Sequence, residues 1–309
     1  MTETRRIVIV GCGVMGASTA WALARRGRSV LVLEQFQVGH ERGSSHGTAR
    51  IFRFSYPDER YVGMAIAALP MWRELEAASG EALLTTTGGF DRGKSLDDHV
   101  NALSHHGADY ELMSGRDVAR RWPYMTFPLE ESVLYQPDGG IVAADRAVAA
   151  FIGCAIENGA ELREAERVLT VAESGSGVTI ESSSSRIDAE TVVVTAGAWA
   201  SGLLRGTGIT LKLTPTRETV AYFGTREVPP TVVEWGSPRS THLRVPATAS
   251  KSESTRRDRR STPMRAVRST SFRSIDFPIG SDNASRERHR SHIARRRAST
   301  QTLPMTILF

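Results

Sequence analysis

The sequence predicts an α/β fold: a Rossmann-like parallel sheet with a second, smaller antiparallel layer set into it. Three observations lead there. An apolar run, a glycine turn, a helical stretch and a second apolar run follow one another within the first 34 residues, which is the order of a βαβ unit. Short strand-like runs alternate with one helical stretch over 81–140. A long helix at 143–160 then returns the chain to strands ending in TVVVTAG.

The elements follow in order. RRIVIVG is the first strand and VMGASTAWALARRG the helix after it. Ala17, Ala20, Ala22 and Leu23 form its small apolar face, and Gly27 stops it. SVLVLE is the second strand. Residues 41–56, ERGSSHGTARIFRFSY, are polar and glycine-bearing and follow no period. Residues 61–80 read as a helix with Met64, Ile66, Ala67, Leu69, Trp72 and Leu75 inward. LDDHVNALSHHGA is a polar helix on which His105 and His106 face solvent. AADRAVAAFIGCAIENGA is the helix at 143–160, and a last helix begins at Ala198. The chain divides into a nucleotide-binding domain in two parts, 1–80 and 141–204, and a second domain in two segments, 81–140 and 205–236. Residues 237–309 form an aberrant basic tail.

Composition narrows the function classes. Of 309 residues, 40% are hydrophobic and 24% charged, ordinary for a chain with packed cores. Apolar runs stay short of the roughly 18 residues that mark a membrane span, and MTETRR lacks a signal-peptide core. A cytoplasmic protein with no membrane partner is expected. Cys12 and Cys154 make neither a disulfide framework nor a metal spacing, so no metal is expected. The net charge of +5 joins two unlike parts. Residues 237–309 hold fifteen Arg and one Lys against Glu253, Asp258, Asp276, Asp282 and Glu287. That is a surplus of eleven positive charges, so residues 1–236 carry a net −6. A non-enzymatic protein with a basic nucleic-acid-binding tail is the alternative reading, but the tail lacks the interleaved aromatics of such an arm.

The chemistry begins at GCGVMG. Gly11, Gly13 and Gly16 have the G-x-G-x-x-G spacing. Gly11 permits a tight turn, Gly13 lets a pyrophosphate approach the backbone, and Gly16 lets the helix pack against its strand. The helix N-terminus, at Val14 and Met15, offers free N–H groups and a partial positive charge to phosphates. Glu34 ends the second strand, where a carboxylate can accept ribose hydroxyls. An acid there suits FAD or NAD better than NADP.

The stretch GHERGSSHGTARIFRFSYPDERYV (39–62), with LEQF before it and MWRELE after it, resembles the monomeric sarcosine oxidase and N-methyltryptophan oxidase family. RRWPYM (120–125), LYQPDGGIVAADRA (134–147) and VVVTAGAWA (192–200) extend the likeness over about 1–236. The resemblance implies FAD as cofactor, in a Rossmann-like domain of glutathione-reductase type beside an antiparallel substrate domain. It implies oxidation of N-methyl or secondary amino acids by hydride transfer to flavin, with oxygen then reduced to hydrogen peroxide, by a monomer. A flavin dehydrogenase with another electron acceptor would share these residues. By the same resemblance Arg53 is the candidate for the substrate carboxylate, since a guanidinium fork suits a planar carboxylate. Arg50 is the candidate for the flavin face. Ser44, Ser45 and His46 line the cofactor, His46 near the ring; Gly197 is a second pyrophosphate contact and the Val168 backbone an adenine contact.

The resemblance also implies a Gly-x-Gly-Leu-Lys-x-Gly-x-His run, an Asp-Pro-Asp run and a flavin-linking cysteine in the second half. None is in the sequence. Overlapping codons permit all three: the first across Ala247–Thr255, the second across Thr262–Met264, and the third within Ala298–Leu308. A slip of reading frame near 237–241 is therefore expected. It implies a truncated, inactive chain, an irregular segment at 240–309 that touches the FAD domain little, and a 192–236 region without its sheet partners.

Overall fold

The structure is a computed structural model. It describes residues 2–94, 96–175, 177–216 and 228–236, with the backbone of 241–242 and 305–307.

The opening βαβ unit forms as expected. Strand β1 (Thr2–Val10) leads into α1 (Val14–Ala24), and β2 (Val30–Leu33) runs parallel to β1, with Ile7 opposite Val30 and Val10 opposite Leu33. A three-residue strand, β3 (Arg50–Phe52), crosses the unpatterned segment and is followed by α2 (Glu59–Ser79). Asp58 caps α2 by accepting a hydrogen bond from Arg60 N at 3.0 Å, the usual use of a short carboxylate at a helix start.

Next come β4 (Leu84–Thr86), β5 (Gly89–Gly93), α3 (Leu96–His105), β6 (Glu111–Ser114), α4 (Gly115–Arg121), β7 (Ser132–Gln136) and β8 (Gly140–Val142). Ser114 and Asp117 close a reciprocal capping box at the start of α4. Helix α5 (Ala144–Glu157) returns the chain to the first sheet. There β9 (Glu161–Arg163) pairs parallel with β2, and β10 (Val168–Ser174), β11 (Gly177–Ser182) and β12 (Arg186–Val194) form a meander. After the short helix α6 (Ala200–Leu204) come β13 (Thr231–Trp235), β14 (Thr241–His242) and β15 (Met305–Ile307).

The large sheet has the order β10-β11-β12-β1-β2-β9, with β15 beside β12. Its central strands read as unbroken apolar runs because both faces are covered. Ile9, Val30 and Val32 pack under α1 and α5, where Trp21 and Trp72 lie 5.6 and 5.4 Å from Phe151. Val8, Val10, Leu31, Leu33, Val192 and Val194 pack on the other face with Ile180 and Leu204. Each such buried side chain contributes about 1.5–3 kcal/mol. At the rim, Arg163 forks both oxygens of Glu3 at 2.9 Å and Arg5 reaches Glu161 at 2.6 Å, tying β1 to β9. The Arg163 guanidinium holds the Glu3 carboxyl down at about 2.

The α/β class is as the sequence predicts, with four corrections of detail. Met64 is 67% exposed and Ala67 is also exposed. The inward face of α2 is Val62, Ile66, Leu69, Trp72 and Leu75, a cleaner three-and-four spacing than the one read from composition. The second sheet, β14-β13-β5-β7-β6, is mixed: β13 runs parallel to β5, with Thr231 opposite Gly89 and Trp235 opposite Gly93. No hairpin joins those strands; the chain passes through the large sheet between them, so either direction is open to the connection.

The described strands within 192–236 do not lack sheet partners. β12 has β1 along one side and β11 and β15 along the other, and β13 has β5 and β14. Of these partners β1, β5 and β11 lie earlier in the chain, and β14 and β15 later. Most of the expected irregular segment at 240–309 lies outside the described residues. Its described pieces are both paired: Thr241 and His242 with β13, and Met305–Ile307 parallel to Val192–Val194. That last pairing is a contact with the large sheet where little contact was expected.

Candidate functional site

The site starts where β1 ends. Gly11 takes φ +101°, a left-handed conformation that favours glycine, and its N–H donates to Leu33 O at 2.8 Å. A Cβ on Gly11 would lie 2.7 Å from Thr195 O, and one on Gly16 would lie 1.9 Å from Gly11 O. Both obstacles are backbone. Thr195, at the end of β12, closes the turn: its Oγ1 donates to Gly11 O at 2.8 Å. The sequence contained Thr195 within TVVVTAG, but nothing in the spacing marked its role.

Helix α1 opens on Gly13 without a side-chain cap of its own. The cap comes from another segment: Ser45 Oγ accepts Val14 N–H at 2.9 Å, and a Cβ on Gly13 would lie 3.0 Å from that Oγ. Val14 and Met15 expose apolar side chains beside this N-terminus. Gly197, at φ +49°, opens a short turn next to Gly11 with open space where its Cβ would stand. The structure thus brings Gly11, Gly13, Val14, Met15, Gly16, Ser45 and Gly197 together around one helix end.

Glu34 is 4% exposed at the end of β2. Its carboxylate accepts Cys12 N–H at 2.7 Å and Phe36 N–H at 3.0 Å, and His40 Nε2 lies 3.5 Å away. It therefore holds the glycine turn as well as facing it. Burial, then the Glu34 and Glu164 charges, push the Cys12 thiol up to about 12, which leaves it protonated and inert. Phe36, with Trp199 and His40 edge-on and Arg42 over its ring, builds an aromatic corner beside Glu34.

Ser45 is placed by Arg50. The Arg50 guanidinium donates to Ser44 O at 2.8 Å, His46 O at 2.7 Å and Ala49 O at 2.7 Å, clasping the loop's carbonyls. His46 Nδ1 donates to Gly43 O at 2.7 Å. Val168 opens β10 with its side chain in the apolar cluster that holds Val10, Leu31 and Leu33, two residues after Glu166, whose N–H donates to Glu34 O at 2.9 Å.

Arg53 lies beyond β3 in a different setting. Its guanidinium sits 4.6 Å from the Tyr56 ring and 4.9 Å from the Trp235 ring, and its nearest carboxylate is Asp91, with Nη1 to Oδ1 at 3.8 Å. No hydrogen bond among the described residues uses it. Trp235 Nε1 donates to Asp91 Oδ1 at 2.6 Å, and the His99 ring lies edge-on to Trp235 at 4.7 Å. Asp91 and His99 lie on the consecutive elements β5 and α3 and Trp235 on the distant β13, and no local pattern signals the three together.

The donor set fits a dinucleotide. The glycine turn leaves a cradle that side chains would fill, the helix end supplies N–H groups and positive potential to a pyrophosphate, and Glu34 stands where ribose hydroxyls would lie. A separate cavity of about 420 Å³ is lined by Pro57, Asp58, Glu59, Asp98, Asn101 and His105. Its acidic wall repels phosphate, and it shares no residue with the cradle. The described residues contain no cluster able to hold a metal ion and no helix long and apolar enough to cross a membrane.

Comparison with known proteins agrees with this geometry. Residues 6–261 match the family described as FAD dependent oxidoreductase, a match that runs past Gly236. The chain is 34% identical to the peroxisomal sarcosine oxidase of Mus musculus over 220 residues, 70% of this chain and 56% of that protein. It is 30% identical to the monomeric sarcosine oxidase of Bacillus sp. (strain B-0618) over 227 residues, 72% of this chain and 58% of that protein. Among solved structures, NikD, an amino acid oxidase essential for nikkomycin biosynthesis, superposes with a TM-score of 0.59 at 29% identity, over 66% of this chain and 54% of that one. The chain spans somewhat more than half the length of these proteins. On the cradle, the fold and the family match together, the chain belongs to the FAD-dependent oxidoreductase family.

Proposed function

We propose that the protein is an FAD-dependent oxidase of N-methyl or secondary amino acids, acting as a monomer on a small-molecule substrate in the cytoplasm. One observation carries the reading: a single segment, 44–53, reaches both the dinucleotide cradle, through Ser45, and a caged guanidinium, Arg53. The names of the sarcosine oxidases support the substrate class.

In this reading the Arg53 fork takes the substrate carboxylate between the Tyr56 and Trp235 rings. That fixes the amine carbon relative to the cofactor, which is most of what positioning can contribute. FAD, when bound, supplies the two-electron acceptor that no side chain can provide. Arg50 holds the 44–49 carbonyls, and His46 keeps Nδ1–H on Gly43 O, so both act by fixing the loop against the cofactor. Residues 237–309 are read as out of frame, so the chain as written binds FAD weakly and turns over little.

The test uses a version with the frame restored after residue 236. Anaerobic mixing with N-methylglycine is expected to bleach the bound flavin, and admitting air to return the colour with about one hydrogen peroxide per flavin. Bleaching without peroxide would make the protein a dehydrogenase. A flavin that stays yellow with every N-methyl and cyclic amino acid would remove the substrate assignment.

A further inference from the structure

Asp91 and Arg53 form a pair set into the wall of the proposed substrate site. Asp91 is 2% exposed on β5, accepts Trp235 Nε1–H at 2.6 Å and lies 3.8 Å from Arg53 Nη1. Burial leaves its carboxyl raised on balance, with Arg53 and then the Trp235 hydrogen bond opposing that rise. Protonating Asp91 would leave Arg53, whose side chain is only 19% exposed, as a cation without a counter-charge. Stranding one member of a near-buried pair is the costlier state, so the pair stays ionised and the Arg53 site carries no net charge. The other titratable groups around it are His99 on α3, which faces Asp91, and Tyr56, which faces Arg53.

We propose that Asp91 is a specificity-determining residue: by offsetting Arg53 it makes the site take a zwitterionic amino acid and discriminate against a plain carboxylate. This rests on the reading of Arg53 as the carboxylate anchor. A plain anion that docks on Arg53 brings a second negative charge within a few ångströms of Asp91, in a cage walled by two aromatic rings where water screens poorly. A zwitterion brings its own positive charge and cancels that repulsion. Discrimination then comes from an unfavourable term against the wrong ligand, one of the two routes to specificity. Asp91 need not touch the ligand, since its field reaches through Arg53.

Ligand-observed NMR titrations of the full chain with FAD present test this, with N-methylglycine and propionate as probes. The wild-type protein is expected to bind N-methylglycine about tenfold tighter than propionate. Asp91→Asn keeps an oxygen for the Trp235 N–H and removes the charge. It is expected to tighten propionate by about tenfold while N-methylglycine moves less than about threefold, and Asp91→Glu to retain the wild-type ratio. A gain in affinity is not what a merely structural residue yields on substitution. Equal wild-type affinities for the two probes, or an unchanged ratio in Asp91→Asn, would overturn the proposal. If Asp91→Asn does not fold, the wild-type and Asp91→Glu ratios still decide. Arg53→Ala separates the two readings. If it leaves both affinities unchanged, the anchor assignment itself fails; if it weakens both while Asp91→Asn keeps the ratio, only the role of Asp91 falls.

Discussion

Gly16→Val is expected to remove FAD binding outright, by 100-fold or more in affinity, equivalent to about 2.7 kcal/mol. Even the first atom of a new side chain would stand 1.9 Å from Gly11 O and 2.8 Å from Thr195 Oγ1. Gly11 O belongs to the turn that shapes the pyrophosphate cradle, so relief requires α1 to lift from β1 or the turn to open. Overpacking a closed contact costs about 1–3 kcal/mol in stability, and more where backbone must move. Gly153→Ala is the control. Gly153 lies in α5 with nothing within 4 Å of its Cβ position, and alanine there should stabilise the helix by up to about 1 kcal/mol. FAD affinity and urea midpoints for both variants distinguish a blocked cradle from general unfolding.

Arg53→Ala in the frame-restored protein is expected to weaken amino-acid binding by about 30-fold or more, because truncating one partner of a buried charged contact costs about 2–5 kcal/mol. FAD content should hold, since none of the cradle residues touches Arg53. Arg53→Lys should recover little of the loss, because an ammonium keeps the charge but not the fork, nor the planar stacking on Tyr56 and Trp235. Affinity for N-methylglycine unchanged in Arg53→Ala would move the carboxylate site elsewhere.

What the sequence disclosed follows from how local each constraint is. The glycine turn was legible because Gly11, Gly13 and Gly16 answer to requirements a few residues away, and Glu34 because β2 is short. Ser45 and Arg53 were legible only through resemblance to a family, since residues 41–56 carry no period. The structure adds a local role to Ser45, which caps α1, and to Arg50, which clasps loop carbonyls. Thr195, Asp91, His99 and Trp235 were not legible at all. Each acts on a partner brought close by the fold, as when Trp235 meets Asp91 across the parallel pairing of β13 with β5. Met64 was misjudged because an apolar side chain says little about which face of a helix is covered.

The most direct measurement is equilibrium dialysis of FAD against the full chain, with Gly16→Val alongside. The account predicts saturable, weak binding that approaches about one FAD per chain and exceeds that of NAD or NADP, and none in Gly16→Val. An absence of saturable FAD binding in the wild-type chain, or equal binding in Gly16→Val, would contradict it.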